Sequence, residues 1–180
     1  CVAAADAVRL GDPFAPETTM GPLCNEPTAA KMDRHIADAV RHGAEVLLGG
    51  GRQAGFPTDL YYRYTLLDGV RPEMLAAREE SFGPLLPILS AAGDDEMLRL
   101  ANDTELGLQA AVFTRSLQRA FRYGEELRAG SVIVNDSTDY FESAQPFGGV
   151  AGSRTGWGRI GGLAQLQDMT DLRTVILNLS

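Results

Sequence analysis

Met32, Ile36, Ala39 and Val40 stand at positions i, i+4, i+7 and i+8, which predicts an amphipathic helix over Pro27 to His42 with one buried face. Pro27 suits its opening turn and Gly43 its end. Ala44 to Leu48 follows as a short strand stopped by Gly49-Gly50-Gly51, and Tyr61 to Leu67 is rich in strand formers. Leu85 to Leu89 is an apolar run containing Pro87, and Asp94 is placed to cap a helix carrying Met97, Leu100 and Ala101. Leu108 to Phe113 reads as a buried strand. Ser116 to Leu127 reads as a helix with Leu117, Ala120, Phe121 and Leu127 inward, and Ser131 to Asn135 as the next strand.

Alternating strands and helices predict an α/β fold with a largely parallel sheet flanked by helices, because parallel neighbours need a crossover and helices supply it. Between Asp136 and Gly162 the chain is dominated by Gly, Ser, Asp and aromatic residues. That stretch is too long for a simple connection and is the candidate functional loop. Leu163, Leu166 and Met169 predict a last helix, and Leu172 to Leu179 a terminal strand. At the other end, Val2 to Val8 reads as the body of a helix with no start signal, and the first residue is Cys1 rather than Met. A chain cut from something longer is expected.

Composition narrows the partners. With 180 residues and 44% hydrophobic content the chain can bury one substantial core. Its net charge of -8 disfavours a nucleic-acid backbone or an anionic membrane and favours a small ligand. Cys1 and Cys24 are too few for a disulfide framework and lack metal-site spacing, so a reducing cytoplasm is the expected location. No run is apolar enough to cross a bilayer, and no export signal opens the chain. His35 and His42 share a helix face without further ligands at matching spacing, and solvent exposure is expected of both. Gly49-Gly50-Gly51-Arg52 lacks the ending of a phosphate loop and reads as a turn.

Glu79-Glu80-Ser81-Phe82-Gly83-Pro84 closely resembles the Glu-Glu-X-Phe-Gly-Pro signature of aldehyde dehydrogenases. It is followed, in that family's order, by Ala101 to Leu108, Ala111 to Thr114, Gly130 to Asn135 and Pro146-Phe147-Gly148-Gly149. Upstream, Gly11-Asp12-Pro13-Phe14 and Met20-Gly21-Pro22-Leu23 resemble further landmarks. The resemblance spans nearly the whole chain and implies a partial aldehyde dehydrogenase catalytic domain over residues 1–171, with a C-terminal oligomerisation strand over 172–180. Without the surrounding blocks, Glu79 and Glu80 would read as a solvated pair and Phe82 as ordinary core.

The family's chemistry, carried over as an expectation, is a cysteine thiolate attacking an aldehyde, hydride passing to a nicotinamide, and a glutamate-activated water hydrolysing the thioester. By position, the resemblance gives Glu80 the hydroxyls of the nicotinamide ribose. A carboxylate suits a diol because its two oxygens accept from both hydroxyls. Phe82 would set a ring near the nicotinamide. Phe147 would flank the reacting aldehyde, with Tyr140 and Phe141 lining the substrate tunnel, where aromatic walls exclude water and favour apolar or aromatic aldehydes. Phe147 and Phe141 retain the alternative of packing beneath the turn and anchoring the loop.

Departures matter too. Gly152 to Gly162, which includes Trp157, is longer than the family's usual glycine run. Its ending, together with Asp168 to Arg173, looks more like the benzaldehyde and vanillin dehydrogenase branch. Tyr64-Thr65 stands where a Pro-Thr pair is common. The family's nucleophile, general base, oxyanion-hole asparagine and nucleotide-binding domain all precede the point matching Cys1, so no catalytic residue is expected here. Cys1 lies too close to Gly11-Asp12-Pro13 to be the nucleophile, and Cys24 has no basic neighbour in sequence to activate it.

The expected parent oxidises an aldehyde to a carboxylic acid with NAD or NADP, while these residues alone are inactive. A catalytically dead assembly module of the same fold is the alternative. An acyl-phosphate-handling relative is disfavoured by the intact Glu80 and Phe82 pattern. Both dinucleotides agree with the resemblance, because the discriminator of the 2′-phosphate belongs to the family's other domain. The terminal strand predicts a homo-oligomer, dimer or tetramer, formed by strand addition involving the Ser131 to Asn135 edge.

Overall fold

In the computed structural model, which describes residues 1–156 and 158–179, the chain divides into two compact units, Cys1–Ala92 and Gly93–Ser180. Trp157 of the distinctive loop and Ser180 of the terminal segment lie outside the described residues. The fold is α/β. Two of the three strand pairings among the described residues are parallel.

In the first unit, α1 (Val2–Asp6) precedes α2 (Glu26–Arg41), whose start is set by Asn25. The Asn25 side chain accepts from the Thr28 amide at 2.9 Å, and Pro27 sits in the first turn, where an amide donor would have no helical partner. Met32, Ile36 and Ala39 are buried as the period predicts, whereas Val40 is half exposed. β1 (Glu45–Leu48) pairs antiparallel with β2 (Thr65–Asp68), and β2 pairs parallel with β3 (Leu85–Pro87). Pro87 is tolerated because β3 is an edge of this sheet. The strand expected over Tyr61 to Leu67 begins only at Thr65, and Tyr61 and Tyr62 are core residues ahead of it.

Met32, Ile36 and Tyr62 form one buried cluster, and Ala39, Leu67, Val70 and Met74 belong to another. Each large apolar side chain so buried is worth about 1.5–3 kcal/mol. The Tyr62 hydroxyl donates to Asp33 at 2.9 Å, and Arg52 donates to both Asp33 and Glu26. Arg52, read from sequence as part of a turn, therefore clamps that turn to α2. A second link is longer in sequence: Asp38 of α2 accepts the Leu75 amide at 2.9 Å, capping α3 (Leu75–Arg78), whose own N-cap residue Met74 makes no side-chain cap hydrogen bond.

In the second unit α4 (Asp94–Asn102) is followed by β4 (Gln109–Val112), α5 (Leu117–Glu126), β5 (Ser131–Val134) and α6 (Gly162–Asp168). β4 and β5 run parallel with α5 as their crossover. Three expectations about side chains fail here. Asp94 is the first residue of α4 rather than its cap, and its carboxylate instead accepts from Arg119 at 2.9 Å and Tyr123 at 3.1 Å. Leu98 is the buried residue of α4, while Met97 and Ala101 are exposed. On α5, Tyr123 is buried whereas Leu117 and Phe121 are 72% and 64% exposed. Periodicity defines an apolar stripe, but which stripe meets the unit's own core depends on what packs there. Among the described residues, Leu172 to Leu179 is not assigned to a strand, and its apolar side chains are exposed.

Candidate functional site

The signature segment leaves α3 at Glu79, whose backbone is already extended (φ -104°, ψ 142°). From there it runs over α2. Gly83 has no room for a side chain: a Cβ would lie 2.1 Å from the Met32 sulfur. The Thr65 amide donates to the Pro84 carbonyl at 2.8 Å, tying the end of the segment to β2. Phe82, between them, has φ 53°, a left-handed conformation that costs a bulky residue about 1–2 kcal/mol. Such strain persists only where the surroundings impose it, and it turns the Phe82 ring outward, 73% exposed, with the Lys31 ammonium 5.6 Å from the ring centroid. Glu80 is exposed beside it.

His35, expected at the solvent, is fully buried: it lies on the inner face of α2 with Met32 and Ile36. Its Nε2 is 2.9 Å from a Glu79 carboxylate oxygen and its Nδ1 is 2.9 Å from the Ser81 hydroxyl. A polar ring is tolerated in the core because both nitrogens are partnered. The hydrogen bond from His35 holds the Glu79 carboxyl below the usual range, against partial desolvation, with Arg34 at 3.7 Å adding attraction. His42 is partly exposed, with Nδ1 2.9 Å from the Asp38 carbonyl oxygen.

In the second unit the candidate loop leaves β5 at Asn135 (φ 61°), whose side-chain oxygen accepts the Thr114 amide at 2.8 Å and so ties the ends of both strands. Asn tolerates this left-handed conformation better than most residues. Farther on, Phe147 and Ile160 exchange two backbone hydrogen bonds of 2.8 Å. Arg159 donates to the Gly149 and Gly158 carbonyls, closing the turn that carries Phe147. The Phe147 ring meets Phe141 edge to face, with centroids 5.6 Å apart and planes at 81°. Tyr140, Phe141 and Phe147 thus come together on one concavity of about 440 Å³, shared with Asp136, Glu142 and Gln145. That volume is in the range of small-molecule sites.

The match to known proteins follows this order of parts. The model of the aldehyde dehydrogenase family matches residues 1–175. The chain belongs to the aldehyde dehydrogenase family. It is 38% identical over 172 residues to a vanillin dehydrogenase from Pseudomonas fluorescens, covering 96% of this chain and 34% of that protein. It resembles the crystal structure of succinate-semialdehyde dehydrogenase from Burkholderia pseudomallei with a TM-score of 0.87 and 39% identity, over 93% of this chain and 34% of that one. The Mycobacterium tuberculosis aldehyde dehydrogenase complexed with NAD+ is similar with a TM-score of 0.89 and 28% identity, over 97% and 35%. The chain spans about a third of the length of these relatives.

A nicotinamide dinucleotide, the group this family implies, can be tested against the residues present. The exposed Glu80 carboxylate has the donor-free chemistry a ribose diol needs, and the exposed Phe82 ring stands two residues away on a backbone braced from beneath. An acceptor-only carboxylate and an exposed ring are compatible in chemistry with a group that carries a diol and a planar ring. Cys1 and Cys24 are both exposed and unlinked by a disulfide, and Cys24 lies 3.7 Å from the Thr28 hydroxyl rather than beside a base. Among the described residues no cluster of His, Cys, Asp or Glu could hold a metal ion, and no helix is long and apolar enough to cross a membrane.

Proposed function

We propose that this chain is part of an NAD(P)-dependent aldehyde dehydrogenase that oxidises an aldehyde to a carboxylic acid. Residues 1–171 contribute to its catalytic domain and 172–180 form its oligomerisation strand. Glu80 accepts hydrogen bonds from the nicotinamide ribose, Phe82 limits the swing of the nicotinamide, and Phe147, Phe141 and Tyr140 wall the aldehyde site. NAD or NADP, when bound, supplies the hydride acceptor. The thiolate nucleophile comes from a part of the protein other than these residues, which are inactive alone.

The observation that carries this proposal is the meeting of Phe141, Phe147 and Tyr140 on one concavity, in a chain whose signature blocks stand in family order. The same concavity favours a neutral aldehyde. Asp136 and Glu142 line it and, among the described residues, no Lys or Arg does, so an anionic substrate would meet like charge there. A neutral aromatic aldehyde also agrees with the similarity to the vanillin dehydrogenase.

A full-length protein carrying this chain should form NADH or NADPH, read at 340 nm, faster per KM with benzaldehyde or vanillin than with succinate semialdehyde. Phe147→Ala should raise KM for the aromatic aldehyde about tenfold, in keeping with the loss of an aromatic contact and its buried area. A preference for succinate semialdehyde, or an unchanged KM in the variant, would refute the assignment of this site. Assembly through the terminal segment is supported by the exposure of the apolar side chains of Leu172, Ile176 and Leu179. A cytoplasmic location agrees with the exposed, unlinked cysteines.

A further inference from the structure

His35 is fully buried and holds Glu79 and Ser81, the two residues on either side of Glu80. Glu79 and Ser81 reach back to His35 of α2, whereas Glu80 between them and Phe82 beyond are exposed. The Glu79 carboxylate accepts, so the His35 Nε2–H donates to it, and Nδ1 is left for the Ser81 hydroxyl. A fully buried ring held at both nitrogens has no free rotation. Two anchors on either side of Glu80 therefore fix the direction of the residue between them. Lys31 and Arg34, from the same helix, flank this arrangement over the Phe82 ring and beside Glu79.

We propose that His35 is a positioning residue for dinucleotide binding: by holding Glu79 and Ser81 it aims Glu80 and Phe82 at the nicotinamide half of the cofactor. This rests on the assignment of Glu80 to the nicotinamide ribose. Pre-set direction matters because a side chain ordered before binding loses no rotamer freedom when the ligand arrives. Loss of the His35 anchors makes Glu80 and Phe82 order themselves at the expense of affinity. The assignment gives neither residue a contact with the adenosine half of the cofactor, whose binding should therefore be unaffected.

The test uses the full-length protein carrying this chain, with NADH affinity read by fluorescence titration and ADP affinity by calorimetry. Glu80→Gln should weaken NADH about tenfold, the size of one charged hydrogen bond, and leave ADP unchanged. His35→Ala should weaken NADH about five- to tenfold and leave ADP unchanged. The double variant should lose less than the product of the two single losses, because both act through Glu80 while only His35→Ala also frees Phe82; losses that multiply in full would overturn the positioning role. If Glu80→Gln leaves NADH affinity unchanged, the ribose assignment fails and the proposal with it. If Glu80→Gln weakens NADH but His35→Ala does not, or if His35→Ala weakens NADH and ADP alike, His35 has only a structural role and the assignment of Glu80 stands. Should His35→Ala fail to fold, Ser81→Ala carries the same comparison: about threefold weaker NADH with ADP unchanged is expected, and equal losses of both, or none, would overturn the positioning role.

Discussion

Gly130 offers the sharpest test of how the Phe147 turn is seated. It lies immediately before β5 and donates its amide to the Gly107 carbonyl at 3.0 Å. A Cβ added there would stand 1.7 Å from the Gly148 carbonyl oxygen and 3.2 Å from that of Leu108. Ordinary contact starts at 3.4 Å, so Gly148 would have to retreat by about 1.7 Å, and it is backbone rather than the free end of a side chain. Two effects compete in Gly130→Ala. Restricting the unfolded chain stabilises by about 0.4–1 kcal/mol, whereas forcing packed backbone apart costs about 1–3 kcal/mol. The steric term wins, leaving a net loss of about 1–2 kcal/mol.

Gly124 supplies the control. It lies within α5, and a Cβ there meets nothing within 4 Å, so Gly124→Ala keeps only the favourable term, about 0.5–1 kcal/mol. Urea unfolding followed by far-UV circular dichroism should therefore shift the two midpoints in opposite directions, Gly130→Ala down by about 0.5–1 M. Displacing Gly148 also displaces its neighbour Phe147, so the aromatic-aldehyde KM of the full-length protein should rise in Gly130→Ala. Midpoints that move in the same direction would show that the Gly148 carbonyl is not seated against Gly130, and the account of the turn would fall.

Three further outcomes are expected. Gly83→Ala should destabilise by about 1–3 kcal/mol in the same unfolding assay, because the added methyl meets the sulfur of the fully buried Met32; a neutral effect would contradict the close approach of the signature to α2. The Asp38 carboxyl is held below the usual range, first by the Leu75 amide and then by Arg41, with burial opposing. A depressed folded-state value means its stabilisation is present above about pH 4 and is lost as pH falls through that depressed value. Asp38→Asn should thus unfold more easily at pH 7 while the gap to the parent narrows by pH 3; a gap independent of pH would refute it. Deletion from Thr174 onward should reduce the association state seen by light scattering of the full-length protein, and an unchanged mass would show that the terminal segment does not assemble it.

Local pattern determined a good deal. The run of Met32, Ile36 and Ala39 set the position and buried face of α2, and the strand at Ser131 was legible from its β-branched run. Both are short-range properties in which neighbouring residues agree. The signature blocks likewise carried the family, because their order along the chain is itself sequence information. Only the tertiary structure decided the rest. Nothing near His35 in the chain announces that Glu79 and Ser81, more than forty residues later, will satisfy both its nitrogens, and an imidazole without visible partners reads as exposed. Asp38 capping α3 and Arg52 clamping α2 are hidden for the same reason. On α5 the stripe of Leu117 and Phe121 was legible, but burial of Tyr123 instead depends on the surface available within its unit. A periodic pattern specifies a face, whereas a partner is specified only when the chain has brought distant residues into contact.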